Sequence, residues 1–166
     1  VVLVERELKL WTQEVLDVPT DSFGGLPPCP YAKKAWKDKK VSIFESDDLN
    51  LVLEKQRLFD PQSDKLEIIV WYNIENMCVV EFNKWIDIHN KDYEQIWLMG
   101  FHPEASDDAL TPEFEGIIDE TYGLIFVQSL RYLVNASERL FTTDYYKLYP
   151  TKDINYVKER NKKCVV

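Results

Sequence analysis

The sequence predicts an α/β (α+β) sandwich, with helices packed on one four-stranded sheet in a ferredoxin-like or related split arrangement. Three observations carry this. Apolar runs of strand length alternate with segments whose apolar residues recur at threes and fours, in the order βαβαβ and then one more strand and helix. Lys65 to Asn73, with Leu66, Ile68, Ile69, Val70, Trp71 and Tyr72, is the strongest strand signal and is apolar enough to lie centrally in a sheet. Finally, 166 residues with 45% hydrophobic and 13% aromatic content suffice for a single domain with its own core, and no repeat or low-complexity stretch divides them.

In chain order, residues 2–18 carry Leu3, Val4, Leu8, Trp11, Val15 and Leu16 at near-helical spacing without Gly or Pro. They predict a first helix whose apolar face holds Leu8, Trp11 and Val15. Residues 19–36 are an irregular loop, punctuated by Pro19, Gly24, Gly25, Pro27 and Pro28, that leads to Cys29 and a short helix through Ala32, Ala35 and Trp36. The α/β core spans 40–150 and opens on an alternating strand from Lys40 to Glu45. Ser46-Asp47-Asp48 starts a helix with Leu49, Val52, Leu53 and Leu58 on one side, and Asp60-Pro61 ends it. After the central strand, Val79, Phe82, Trp85, Ile86 and His89 mark a second crossover helix. Gln95 to Phe101 is a third strand that stops at His102-Pro103. Asp107 to Glu115 reads as a polar loop or one helical turn, and Thr121 to Ser129 as a fourth strand. The helix after it carries Leu130, Leu133, Val134, Leu140 and Phe141, with Tyr145, Tyr146 and Tyr149 beyond. Residues 151–166 form a charged tail, expected as a last, loosely held helix.

Composition removes several function classes. A net charge of −9 repels a phosphate backbone, so no nucleic-acid partner is expected. The five lysines between Lys33 and Lys40 read as a solvated helix end, because Glu45, Asp47 and Asp48 follow at once. Three cysteines at long, irregular spacing suit neither a disulfide framework nor a zinc knuckle, and a reducing, cytoplasmic location is expected. No apolar run approaches a membrane span and no signal-peptide pattern is present, so no membrane partner is expected. Phosphate-binding loops, dinucleotide glycine patterns and serine elbows are lacking, which disfavours nucleotide-dependent and serine-hydrolase chemistry and leaves the cofactor, if any, unspecified.

Chemistry is concentrated at two places. Pro30 suits a first helical position, which puts Cys29 at a helix cap, facing the positive end of the dipole with Lys33 and Lys34 one turn on; both features favour the thiolate. Tyr31, Lys33 and Lys34 are then candidate substrate-binding residues. The plainer reading makes Cys29 a small buried hydrophobe. The other place is Phe101-His102-Pro103-Glu104, with Asp107 and Asp108 behind it, at the end of a strand where ligands of open α/β sheets gather. His102 is a candidate base and Glu104 its orienting carboxylate; equally, His102 caps a turn by bonding a backbone carbonyl. Cys29 and His102 form a candidate nucleophile and base for a small polar substrate, and Cys29, His102 and Asp107 a candidate metal set. Against this enzyme reading stands a non-catalytic interaction module, a homo-oligomer whose aromatic residues and acidic surface make the contacts.

Gly25-Leu26, Cys29-Pro30-Tyr31-Ala32, the βα stretch from Val41 and Gly100-Phe101-His102-Pro103-Glu104 together resemble an uncharacterised bacterial protein family with Cys-Pro-Phe-Ala and Tyr/Phe-His-Pro motifs. The resemblance spans roughly Trp11 to Asp108, carries no activity with it, and implies that Cys29 and His102 belong to one site. The Asn-Arg-Ser-Pro-Tyr-Pro segment of that family is missing here. Cys29-Pro30-Tyr31 also looks like the start of a glutaredoxin site, with Ala32 in place of the second cysteine.

Overall fold

Strands β1 (Val41–Ser46), β2 (Leu66–Trp71), β3 (Ile96–Phe101) and β4 (Gly123–Ser129) form one open mixed sheet in the order β1-β2-β4-β3. The computed structural model describes residues 2–105 and 121–164, so the predicted loop from Asp107 to Glu115 lies outside the described residues. β1 and β2 are parallel, with Ile43 level with Ile68 and Phe44 with Ile69, as expected of strands joined by a crossover helix. β4 runs antiparallel to both neighbours, pairing Ile69 with Ile125 on one side and Leu98 with Val127 on the other. It separates β2 from β3, which makes this a split arrangement. Among the described residues the element order from β1 to α5 is βαβαββα, which differs from the βαββαβ of ferredoxin-like domains. β2 is central, and its residues Ile68 to Trp71 are all buried.

Alternation along the strands builds a core on each face. On one face, α3 (Asn50–Leu58) and α4 (Val79–Asp92) bring Val52, Phe82 and Ile86 onto Ile69, Trp71, Leu98, Ile125 and Val127. On the other, α1 (Val2–Trp11) and the segment after it bring Leu8, Trp11, Val15 and Leu16 onto Ile68, Val70 and Leu124, with Trp36 of α2 (Ala32–Lys37) packed alongside. Each such buried side chain stabilises the fold by roughly 1.5–3 kcal/mol. Gly100 lets α4 approach closely, because a Cβ there would sit 2.5 Å from Phe82 Cε1.

Three boundaries refine the sequence-based expectation. The first helix is α-helical only to Trp11 and widens into a π-helical turn over Thr12–Leu16, where Thr12 Oγ1 donates to Leu8 O at 2.9 Å and accepts the Trp36 indole N–H at 2.9 Å. The helix after Cys29 begins at Ala32, so Cys29 precedes it instead of capping it. The charged tail is a docked helix, α6 (Thr151–Lys162), packed on α5 (Leu130–Phe141). Val157 and Arg160 are buried, and the Asn161 side chain bonds Ser137 Oγ at 2.9 Å. No helix among the described residues is long and apolar enough to cross a membrane.

Candidate functional site

Cys29 sits in a turn whose ends are tied down. Its N–H donates to Leu16 O at 2.9 Å and its carbonyl accepts from Ala32 N at 3.1 Å. The phenol of Tyr145 donates to Pro28 O, and Tyr145 and Tyr149 close over Phe23 with ring centroids 5.1 and 5.9 Å away. The thiol packs into the core formed by α1 and β2, and burial pushes its pKa up, with Asp17 adding in the same direction; the Tyr31 and Ala32 amides oppose this only in part. The expected thiolate activation is therefore reversed. A six-residue helix starting three residues later, with its lysines turned outward, cannot offset the loss of solvent.

His102 is buried, and both ring nitrogens are engaged by backbone. Nε2 lies 2.8 Å from Met77 O and Nδ1 accepts the Glu104 N–H at 3.1 Å, which fixes the neutral tautomer carrying its proton on Nε2. The ring packs edge-on against Phe82 at 5.5 Å, in the core beneath α4. His102 is thus the turn cap of the plainer reading.

The sheet lies between these two residues. Cys29 belongs to the core on the α1 face and His102 packs on Phe82 in the core on the α4 face, so the structure does not bring them together as nucleophile and base or as metal ligands. Glu104 is exposed, and it contributes its N–H, not its carboxylate, to His102. Asp107 lies outside the described residues, and among those described no group of three His, Cys, Asp or Glu side chains is placed to hold a metal. Lys33 is paired with Asp17 at 3.3 Å, Lys34 with Asp38, and the Tyr31 hydroxyl reaches Ala136 O at 3.5 Å. These side chains form a surface lattice around the loop and do not converge on a cavity.

What the structure does present is an asymmetry between the two edges of the sheet. At β3, the Asn90 amide of α4 fills the outer edge: Leu98 N–H donates to Asn90 Oδ1 at 2.7 Å and Asn90 Nδ2 donates to Leu98 O at 2.9 Å. At β1, no strand or side-chain amide among the described residues does this. Leu66 N–H donates to Lys40 O at 2.9 Å and Tyr72 N–H to Ser46 O at 3.1 Å, so the even-numbered residues face β2. The N–H and C=O groups of Val41, Ile43 and Glu45 point outward. Trp71 Nε1 and Asn73 Nδ2 both donate to Asp47 O, at 3.2 and 2.8 Å, and hold the acidic turn at the end of this edge. Lys39, in the left-handed region with φ 55°, stands at its other end. Both Lys39 and Asp47 are exposed and make no ion pair within the described chain.

Asn90 escapes a reading based on motifs, although the pattern holds a signal: Phe82, Ile86 and Asn90 follow at intervals of four, which places a polar side chain on the buried stripe. No protein-family model, curated protein or solved structure matches this chain.

Proposed function

We propose that this chain is a non-catalytic interaction module that pairs with a second copy of itself through the open edge of β1. The observation that supports this is the outward-facing row of backbone groups at Val41 and Ile43, which no strand among the described residues pairs, on a sheet whose opposite edge is capped at Leu98 by Asn90. An antiparallel pair of β1 strands about a two-fold axis normal to the sheet keeps every side chain on its own face. Ile43 then meets Ile43 of the second copy, and Val41 meets Glu45. The same register sets Lys39 opposite Asp47, so the basic start and acidic end of the strand complement each other, whereas a parallel pair would oppose like charges. Such exposed ion pairs contribute only about 0–1 kcal/mol each, so the charges set direction and register while the backbone hydrogen bonds supply the contact.

The test is the mass of the protein in solution by sedimentation velocity, from sub-micromolar to high micromolar concentration. A monomer–dimer equilibrium is expected, and a monomer at every concentration overturns the proposal.

A further inference from the structure

At the other end of the sheet, a cavity of about 220 Å³ opens between α4, the edge of β3 and α6. Arg160 lines it and is only 7% exposed, the one buried side chain of fixed charge among the described residues. A buried guanidinium is ordinarily matched by a carboxylate. Here Nε and Nη2 instead both donate to the neutral Asn161 Oδ1, at 3.3 and 3.1 Å, and Nη1 has no partner in the described chain. The carboxylate that the network reaches, Glu138, accepts from Asn161 Nδ2 at 2.8 Å and not from the arginine.

The rest of the cavity has the same bias. Lys163 lies 5.2 Å over the Trp97 ring without an anionic partner, and Lys91 stands at the rim, also unpaired. Of the acids present, Glu159 is neutralised by Lys162 at 2.5 Å, which leaves Asp87 beside Tyr156 as the uncompensated carboxylate. Burial also pulls the Arg160 pKa below the ordinary arginine value, with the nearby tyrosines Tyr146, Tyr156 and Tyr149 opposing the shift.

We infer that this cavity binds a small organic anion, whose carboxylate or phosphate group takes the free side of the Arg160 guanidinium while Lys163 and Lys91 close over it. The fork of Arg160 suits a bidentate oxyanion, and the aromatic surface of Trp97 and Tyr156 gives the ligand's carbon skeleton a wall. The volume falls below the roughly 300–1,000 Å³ of drug-sized pockets, which limits the ligand to a few carbons. This site is independent of β1, which lies at the far edge of the sheet.

The probes are inorganic phosphate and succinate, titrated against the full chain while the amide signals of β3 and α6 are followed by NMR. Saturable binding of one or both is expected, with the shifts centred on Trp97 and Arg160. Lys163→Gln, a surface change that leaves the fold intact, should weaken binding about tenfold, the scale of one lost charge-assisted contact. Arg160→Met should abolish binding, and the Lys163→Gln result stands by itself if that variant unfolds. Absence of saturable binding of either probe overturns the inference. So does binding that Lys163→Gln and Lys91→Gln leave unchanged, or shifts centred on the Lys33 to Lys40 segment.

Discussion

Asn90 pairs with both polar backbone atoms of Leu98, accepting its N–H and donating to its C=O, and so occupies the place a fifth strand would take beside β3. The side chain is 2% exposed, so water cannot substitute for it. One edge of the sheet is therefore capped against a neighbour at Leu98, while the other presents the backbone of Val41 and Ile43 with no such guard among the described residues.

Replacing Asn90 with Ala leaves a buried N–H and a buried C=O unpaired. The expected loss is about 2–4 kcal/mol, since each orphaned buried group costs roughly 1–3 kcal/mol. Urea unfolding measures it. A loss within experimental error would mean that the amide is dispensable to the edge.

Gly100→Ala tests how closely α4 is drawn onto β3. Its Cβ would meet Phe82 Cε1 at 2.5 Å and Ile86 Cγ1 at 2.9 Å, and Phe82 is fully buried and cannot swing away. Overpacking of this kind costs about 1–3 kcal/mol, read from the shift in thermal midpoint. The fold itself should persist, with β3 and β4 still paired by amide exchange.

Cys29 should alkylate more slowly than an exposed thiol. On a Cys164→Ser background, iodoacetamide at neutral pH should modify Cys78, which is exposed, well before Cys29, whose thiol burial holds in the protonated form. His102→Ala should lower stability by about 1–3 kcal/mol, because Met77 O and Glu104 N–H lose their partner, without changing the Cys29 rate. Fast Cys29 modification that depends on His102 would contradict the placement of the two on opposite faces.

Stability should fall on the alkaline side. Tyr72, half-buried beside Glu45 and bonded to it at 2.7 Å, has its pKa pushed up to about 12 by partial loss of solvent and by that carboxylate, and burial does the same for Tyr146. The unfolded chain releases these protons near pH 10, where native phenols still hold theirs, so the native state binds more protons and loses stability as pH rises from about 10 to 12. The raised Cys29 thiol acts in the same sense from its ordinary thiol range upward. Chemical unfolding at several pH values above 8 should show a decline that Tyr72→Phe makes shallower.

Much of the architecture was legible because it rests on local pattern. The apolar run of β2 marks a central strand, and the spacing of Leu8, Trp11 and Val15 marks the face that α1 buries. The strand order was not legible, since the insertion of β4 between β2 and β3 depends on pairing across the chain. The Cys29 site misled for the same reason: Pro30 and the lysines act locally toward a thiolate, but Tyr145, 116 positions further on, shapes the burial that dominates. Arg160 was hidden by its surroundings, where charged composition masked the three-residue step from Val157 that turns both inward.

The most direct measurement is a charge exchange at the ends of β1, followed by sedimentation. Lys39→Asp and Asp47→Lys each set like charges opposite one another in the antiparallel register and should weaken the dimer, and the double variant should restore it. Unchanged melting of each monomer would locate the effect in association. A wild-type chain that stays monomeric, or a dimer indifferent to all three variants, would contradict pairing through this edge.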